Sequence, residues 1–214
     1  MDTGIIGGTF NPIHNGHLKI AGELLEQCQL DRVIFIPAAE PPHKADDDIA
    51  PFTQRLAMTE LAMTAYPKFT VSNIEAQRHG KSYSVDTLRQ LHQHYPDDQF
   101  FFLIGMDSFT AISTWHNYQQ LFKLCNLIVA RRPGTTPQDN PLKLPVAIRQ
   151  QFCYDAELDI YRHRCGQRLI FLKKTFLDIS STAIRTKIAA HQPIDLLVPA
   201  SVAEYIHTHN LYTA

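Results

Sequence analysis

Three uninterrupted apolar runs, Val33-Ile34-Phe35-Ile36, Phe100-Phe101-Phe102-Leu103-Ile104 and Leu127-Ile128-Val129-Ala130, restrict the fold of this chain more than any other feature. A strand with one wet face alternates apolar and polar residues, so a run without a polar member is expected to be covered on both faces. Segments of helical period separate the runs. Leu18, Ala21, Leu24, Leu25 and Cys28 lie between Gly4–Gly7 and Val33; Leu56, Leu61 and Ala62 precede Phe69-Thr70-Val71; Val85, Leu88 and Leu91 precede Phe100. Strand, helix and strand within about 35 residues is the size of a right-handed βαβ unit. Its repetition predicts an α/β fold with a doubly wound, Rossmann-like parallel sheet and helices on both faces.

After Ala130 the chain turns rich in Pro, Gly, Thr and Asn from Arg131 to Pro141, which reads as a connection to a C-terminal portion. That portion, from about residue 142, is predicted to hold a strand at Leu169–Leu172 and helices over Ser181–Ala190 and Ala200–His209. With 214 residues and no internal repeat, residues 1–214 are expected to form a single domain.

Twenty Lys and Arg against 21 Asp and Glu leave a formal charge of -1, without the basic excess that bulk binding to nucleic acid requires. No apolar run approaches the roughly 18 to 20 residues of a membrane-spanning helix, and no basic segment leads into a signal-like stretch at Met1–Gly4. A cytoplasmic protein without nucleic-acid or membrane partners is therefore expected; oligomeric state is not legible. Cys28, Cys125, Cys153 and Cys165 form no Cys-x-x-Cys pair and read as reduced thiols. Cys153, His163 and Cys165 fit no standard zinc spacing, so no resident metal site is expected.

The densest chemical signal is Gly7-Gly8-Thr9-Phe10-Asn11-Pro12-Ile13-His14-Asn15-Gly16-His17, between the first strand and the first helix. Open α/β sheets bind ligands beyond the carboxyl ends of their strands. Glycines let backbone approach a bulky anion, and a helix N-terminus offers unpaired N–H groups. His14 and His17, three apart, would point to one side and grip one phosphate. Neither Gly-x-x-x-x-Gly-Lys-Ser/Thr nor Gly-x-Gly-x-x-Gly is present, which excludes a P-loop NTPase and a standard Rossmann dehydrogenase.

These residues resemble the N-terminal signature of the nucleotidyltransferase superfamily that uses a His-x-Gly-His motif, and Ile179-Ser180-Ser181-Thr182-Ala183-Ile184-Arg185 resembles its C-terminal signature. In the middle of the chain, Pro41-Pro42-His43-Lys44, Ser82-Tyr83-Ser84, Gly105-Met106-Asp107-Ser108, Trp115 and Arg131-Arg132-Pro133-Gly134 follow the order of bacterial nicotinate-nucleotide adenylyltransferases. The resemblance implies transfer of AMP from ATP to nicotinic acid mononucleotide, giving deamido-NAD and pyrophosphate, with Mg2+ delivered on ATP. It implies His14, His17 and Arg185 as catalytic residues, and Gly7, Gly8, Thr9, Phe10, Ser180 and Ser181 with these three at ATP. It further implies Lys44, Tyr83, Ser84, Gly105, Asp107, Trp115 and Arg132 at the mononucleotide, with Trp115 stacking on the pyridine and N–H groups at Tyr83 and Ser84 holding its carboxylate.

Read alone, several of these residues are ordinary: Trp115 as core, Asp107 as a helix N-cap, Ser180 and Ser181 as capping serines. Asn11 stands where the family commonly has Asp, and Ala38-Ala39 stand where many members have Asn, which removes a possible phosphate contact. An adenylyltransferase for the amide mononucleotide or for phosphopantetheine, and a nucleotide-binding regulator without turnover, are the rival readings.

Overall fold

The computed structural model describes residues 1–41, 49–130, 144–173 and 179–213. The expected strands and helices alternate through the first 130 residues: β1 (Asp2–Gly8), α1 (Asn15–Gln27), β2 (Arg32–Pro37), α2 (Phe52–Met63), β3 (Phe69–Val71), α3 (Ser84–His94) and β4 (Gln99–Gly105). Two short helices, α4 (Met106–Thr110) and α5 (Tyr118–Leu124), lead to β5 (Asn126–Ala130). Beyond them come α6 (Val146–Arg149), β6 (Phe152–Asp155), β7 (Ile160–His163), β8 (Arg168–Phe171), α7 (Ser181–Ala189) and α8 (Ala200–Thr208).

The strands form one sheet in the order β3-β2-β1-β4-β5-β8-β7-β6. From β3 to β8 every pairing is parallel, and β8, β7 and β6 continue antiparallel. The α/β reading therefore holds, with a difference at one edge: the C-terminal portion is not helical alone but carries the β6–β7 hairpin.

Register explains the apolar runs. Ile5 pairs with Ile34 on one side and with Phe102 on the other. Ile5, Ile34, Phe102 and Leu127 belong to one buried cluster with Val85, Leu88 and Leu91 of α3 and Leu121 and Phe122 of α5. Their chain neighbours Ile6, Val33, Phe35, Phe101 and Ile128 belong to the other, with Leu18, Ala21 and Leu24 of α1, Met58 and Ala62 of α2, and Val202 and Ile206 of α8. Successive side chains point to opposite faces, and helices cover both, so every residue of the three apolar runs is buried.

The helix α2 is where the sequence predicts, but its buried stripe is Arg55, Met58, Thr59, Ala62 and Met63, while Leu56 and Leu61 are only half-buried. The chain runs outward from β1 to β2 and β3, then returns to β4 on the other side of β1. The direction reverses between β1 and β4, and their carboxyl ends, Gly8 and Gly105, open the crevice in which such sheets bind ligands.

Candidate functional site

A cavity of about 780 Å³ occupies that crevice. Of the residues expected at a site, Gly7, Gly8, Thr9, His17, Tyr83, Ser84, Gly105 and Trp115 line it. The loop after β1 shapes one wall. Phe10 does not line the cavity; it takes a left-handed φ of 47° and its ring turns into the core at 2 % exposure. A Cβ on Gly8 would lie 3.0 Å from that ring, so glycine at this position is what lets the loop fold back.

His14 is the N-cap of α1 and His17 stands three residues on, in its first turn. Their rings stack with centroids 3.7 Å apart and planes 19° from parallel, while the Phe10 ring meets His17 edge-on at 5.0 Å. The expected common direction of the two imidazoles is therefore met, with His17 at the cavity and His14 behind it. The His14 N–H donates to His17 Nδ1 at 3.3 Å, an arrangement usually made by Glu or Gln in a capping box. With Nδ1 accepting, the neutral His17 ring carries its proton on Nε2, the nitrogen that acts as a donor. His14 is buried to 5 % exposure, and burial lowers its pKa from the usual 6.5 to about 4, against a smaller opposing effect of its own backbone. It is neutral at physiological pH.

The C-terminal motif is tied to this loop rather than to the cavity wall. Ser180 caps α7, its Oγ accepting from Ala183 N–H at 3.2 Å. Ser181 Oγ donates to the Pro12 carbonyl at 2.9 Å, and Arg185 Nη1 donates to the Asn11 carbonyl at 3.0 Å. Asn11 Oδ1 in turn accepts from the Tyr212 hydroxyl at 2.8 Å and from Ala50 N–H at 3.0 Å. An amide oxygen serves these two donors as well as the commoner Asp would, with no charge to compensate.

At the other end of the cavity, Tyr83 is the N-cap of α3 and stacks on His116 with centroids 4.4 Å apart. Its N–H, expected as a carboxylate donor, is committed to the Lys81 carbonyl at 2.9 Å. Among the described residues the donors without an acceptor are one step further on, at Ser84 and Val85, whose N–H groups open the helix. Trp115 meets Phe102 edge-on at 6.5 Å and leaves part of its surface to the cavity. Asp107 is on α4, exposed and outside the lining, whereas its neighbour Ser108 lines it. Lys44 and Arg132 lie outside the described residues.

Three features are not anticipated by the sequence reading. Glu75, buried to 6 % exposure, lines the cavity and accepts from Thr87 Oγ1 at 2.6 Å. Ala38, where the sequence indicates a lost side-chain contact, also lines it. Arg55, at 2 % exposure, spans the loops beneath the cavity. A charged residue in phase with Met58, Thr59 and Ala62 was the available signal for Arg55. Among the described residues no group of three or more His, Cys, Asp or Glu is placed to hold a metal ion, and no helix is long and apolar enough to cross a membrane. His163 Nδ1 approaches Cys165 Sγ at 2.7 Å, and its Nε2 faces Gln151 Oε1 at 3.3 Å.

Residues 5–187 match the cytidylyltransferase-like family model. The chain is 53 % identical over 213 residues to the probable nicotinate-nucleotide adenylyltransferase of Syntrophotalea carbinolica, covering 99 % of this chain and 97 % of that one. It is 48 % identical to the protein of the same name from Geobacter metallireducens, covering 100 % and 99 %. Among solved structures, nicotinic acid mononucleotide adenylyltransferase of Plasmodium falciparum complexed with NaAD shares the fold, at a TM-score of 0.73 and 19 % identity over 99 % of this chain and 97 % of that one.

Proposed function

From its membership of the cytidylyltransferase-like family, and within it of the nicotinate-nucleotide adenylyltransferases, we infer that this chain transfers AMP from ATP to nicotinic acid mononucleotide, releasing pyrophosphate and forming deamido-NAD. The 5′-phosphate oxygen of the mononucleotide forms a bond to the α-phosphorus of ATP as the bond to pyrophosphate breaks. A phosphate monoester has a second pKa near 6 and is largely dianionic at neutral pH, so no catalytic base is needed. The protein's tasks are alignment and stabilisation of charge.

The observation that carries this reading is the convergence on one crevice of the His17 ring, the Gly7–Thr9 backbone and the α3 N-terminus, with Arg185 tied to the same loop. His17 Nε2–H donates to the α-phosphate, with neutral His14 holding the ring in place. Gly7, Gly8, Thr9, Phe10 and the start of α7 at Ser180 and Ser181 cradle ATP, which arrives as its magnesium complex, and Arg185 faces its outer phosphates. Ser84 receives the nicotinate carboxylate beside Tyr83, with Trp115 under the ring; Gly105 and Asp107 take the sugars, and Lys44 and Arg132 supply charge at the phosphates. Residues 1–214 work as one domain in the cytoplasm, where ATP is abundant.

Pyrophosphate release from Mg-ATP tests the reading. Release with nicotinic acid mononucleotide, and much slower release with nicotinamide mononucleotide or phosphopantetheine, is expected. Release with no acceptor in the set would leave a nucleotide-binding regulator, and equal release with both pyridine mononucleotides would remove the acid-specific assignment.

A further inference from the structure

Among the described residues Arg55 is the most deeply buried cation near the crevice; its guanidinium lies over the Phe52 ring at 5.6 Å, and its described hydrogen bonds all go to backbone carbonyls. Nε donates to Ala50 at 2.8 Å, Nη1 to Thr9 and to Ala38 at 2.8 Å each, and Nη2 to Ala39 at 3.5 Å. These carbonyls belong to the loop after β1, the loop after β2 and the entry to α2, so one side chain on α2 ties together three segments. A guanidinium presents its donors in a fixed planar fork, which sets the directions of the carbonyls it binds.

That direction has a consequence on the far side of each peptide. In a planar trans peptide the C=O and the following N–H point opposite ways. With the Thr9 and Ala38 carbonyls turned down onto Arg55, the Phe10 and Ala39 N–H groups turn the other way. Thr9 and Ala38 line the cavity, and among the described residues neither the Phe10 nor the Ala39 N–H has an acceptor.

Charge adds to this. Glu75 is a carboxylate whose field reaches Arg55, but Glu75 is also engaged by Arg78 at 3.8 Å, so among the described residues two guanidiniums share this one carboxylate. Burial of the guanidinium opposes its charge, and an anion above the loops would relieve it.

We propose that Arg55 is a positioning residue for substrate phosphate: from beneath the crevice it aims the Phe10 and Ala39 N–H groups at the anion and supplies positive potential behind them. The pair Ala38-Ala39 then meets phosphate through backbone where other members have an Asn side chain. This rests on the adenylyl-transfer reading for its biological use, but wild-type turnover tests that reading and ligand affinity tests this one.

The experiment compares inorganic pyrophosphate with adenosine by titration calorimetry on the full chain, for wild type, Arg55→Met and Arg55→Lys, with folding followed by circular dichroism. In Arg55→Met pyrophosphate is expected to weaken by about thirtyfold or more and adenosine by less than about threefold; in Arg55→Lys, which keeps the charge without the fork, pyrophosphate weakens by about three- to tenfold. A purely structural role would weaken both ligands alike, or lower the folded fraction with unchanged affinities in what remains folded. Equal losses for the two ligands, unchanged pyrophosphate affinity in a folded variant, or no pyrophosphate binding by the wild type would overturn the proposal. If Arg55→Met does not fold, the same comparison is read from Arg55→Lys.

Discussion

The His14 and His17 rings stack 3.7 Å apart, and the backbone N–H of the first donates to Nδ1 of the second, so the two histidines form one unit with a single outward-facing donor. A donor fixed before the substrate arrives requires no reorganisation when charge develops on the α-phosphate, and loss of such a group costs about 3 kcal/mol. His17→Ala is accordingly expected to lower kcat by roughly a hundredfold or more, with little change in thermal midpoint because His17 is only half-buried. Steady-state kinetics on the folded variant check this, and an intact kcat would remove His17 from the mechanism.

His14 makes a separate prediction about stability against pH. Its pKa falls from 6.5 to about 4 because burial penalises the cation, so between those values the unfolded chain binds a proton that the folded chain does not. Stability therefore rises with pH from about 4 to 6.5 and is level above that. The contribution of this group is at most on the order of 3 kcal/mol. In urea unfolding, the stability of wild type relative to His14→Asn should decline as pH is lowered from 6.5 to 4; a difference independent of pH would contradict the buried neutral ring.

Gly16 lies between the two histidines in sequence, and its missing side chain has a steric reason. A Cβ there would sit 3.0 Å from His14 Nδ1 and 3.1 Å from Cε1, with Ile179 Cβ at 3.6 Å on the other side. Gly to Ala inside a helix normally gains about 1 kcal/mol. Here the gain is offset because the His14 ring must move by a few tenths of an ångström, taking its stacked partner with it. Gly16→Ala is expected to show no net stabilisation and about tenfold lower kcat, the latter because small misplacement of a reacting group is costly. A variant that melts higher and turns over normally would show that the stack tolerates displacement.

The parts of this molecule governed by repeating local patterns are legible in its sequence, and those governed by a single long-range contact are not. Val33–Ile36 and Phe100–Ile104 announce doubly covered strands because a strand with one wet face would alternate, and their β-branched and aromatic residues favour strand over helix. The β6–β7 hairpin is silent: each strand has four residues, Cys153 and Tyr154 are exposed, and a short polar edge strand carries little periodicity. Arg55 was hidden for a different reason. Leu56 and Leu61 suggest one helical phase, while the buried stripe is Arg55, Met58, Thr59, Ala62 and Met63 and includes a cation whose hydrogen bonds go to carbonyls of the surrounding loops. The motif points the Tyr83 N–H at the ligand, and a local turn to Lys81 takes it instead. At Ser180 and Ser181 the motif marks a helix start, but its side chains are spent on capping α7 and fastening it to Pro12.

The choice between acid and amide rests on what the α3 N-terminus presents. Ser84 and Val85 offer N–H donors with no intrahelical acceptor, at the positive end of an 11-residue helix. A carboxylate gains charge-assisted bonds there, whereas the carboxamide, of nearly the same shape, can turn its NH2 toward another donor. An unpaired buried donor costs about 1 to 3 kcal/mol and a lost charge-assisted bond is of similar size, so roughly a hundredfold or greater preference for the acid in kcat/KM is expected. Arg78 supports this end of the site indirectly, its Nη2 donating to Thr87 Oγ1 at 2.7 Å on the first turn of the same helix. Trp115 is placed to bind without choosing. Its indole attracts the cationic pyridinium of either mononucleotide, so Trp115→Ala should weaken both by on the order of 1 to 2 kcal/mol and leave their ratio nearly unchanged. Measuring kcat/KM for both mononucleotides in wild type and variant separates the two roles: equal values in the wild type would refute acid selection by α3, and a ratio that collapses in the variant would assign part of the selection to the indole.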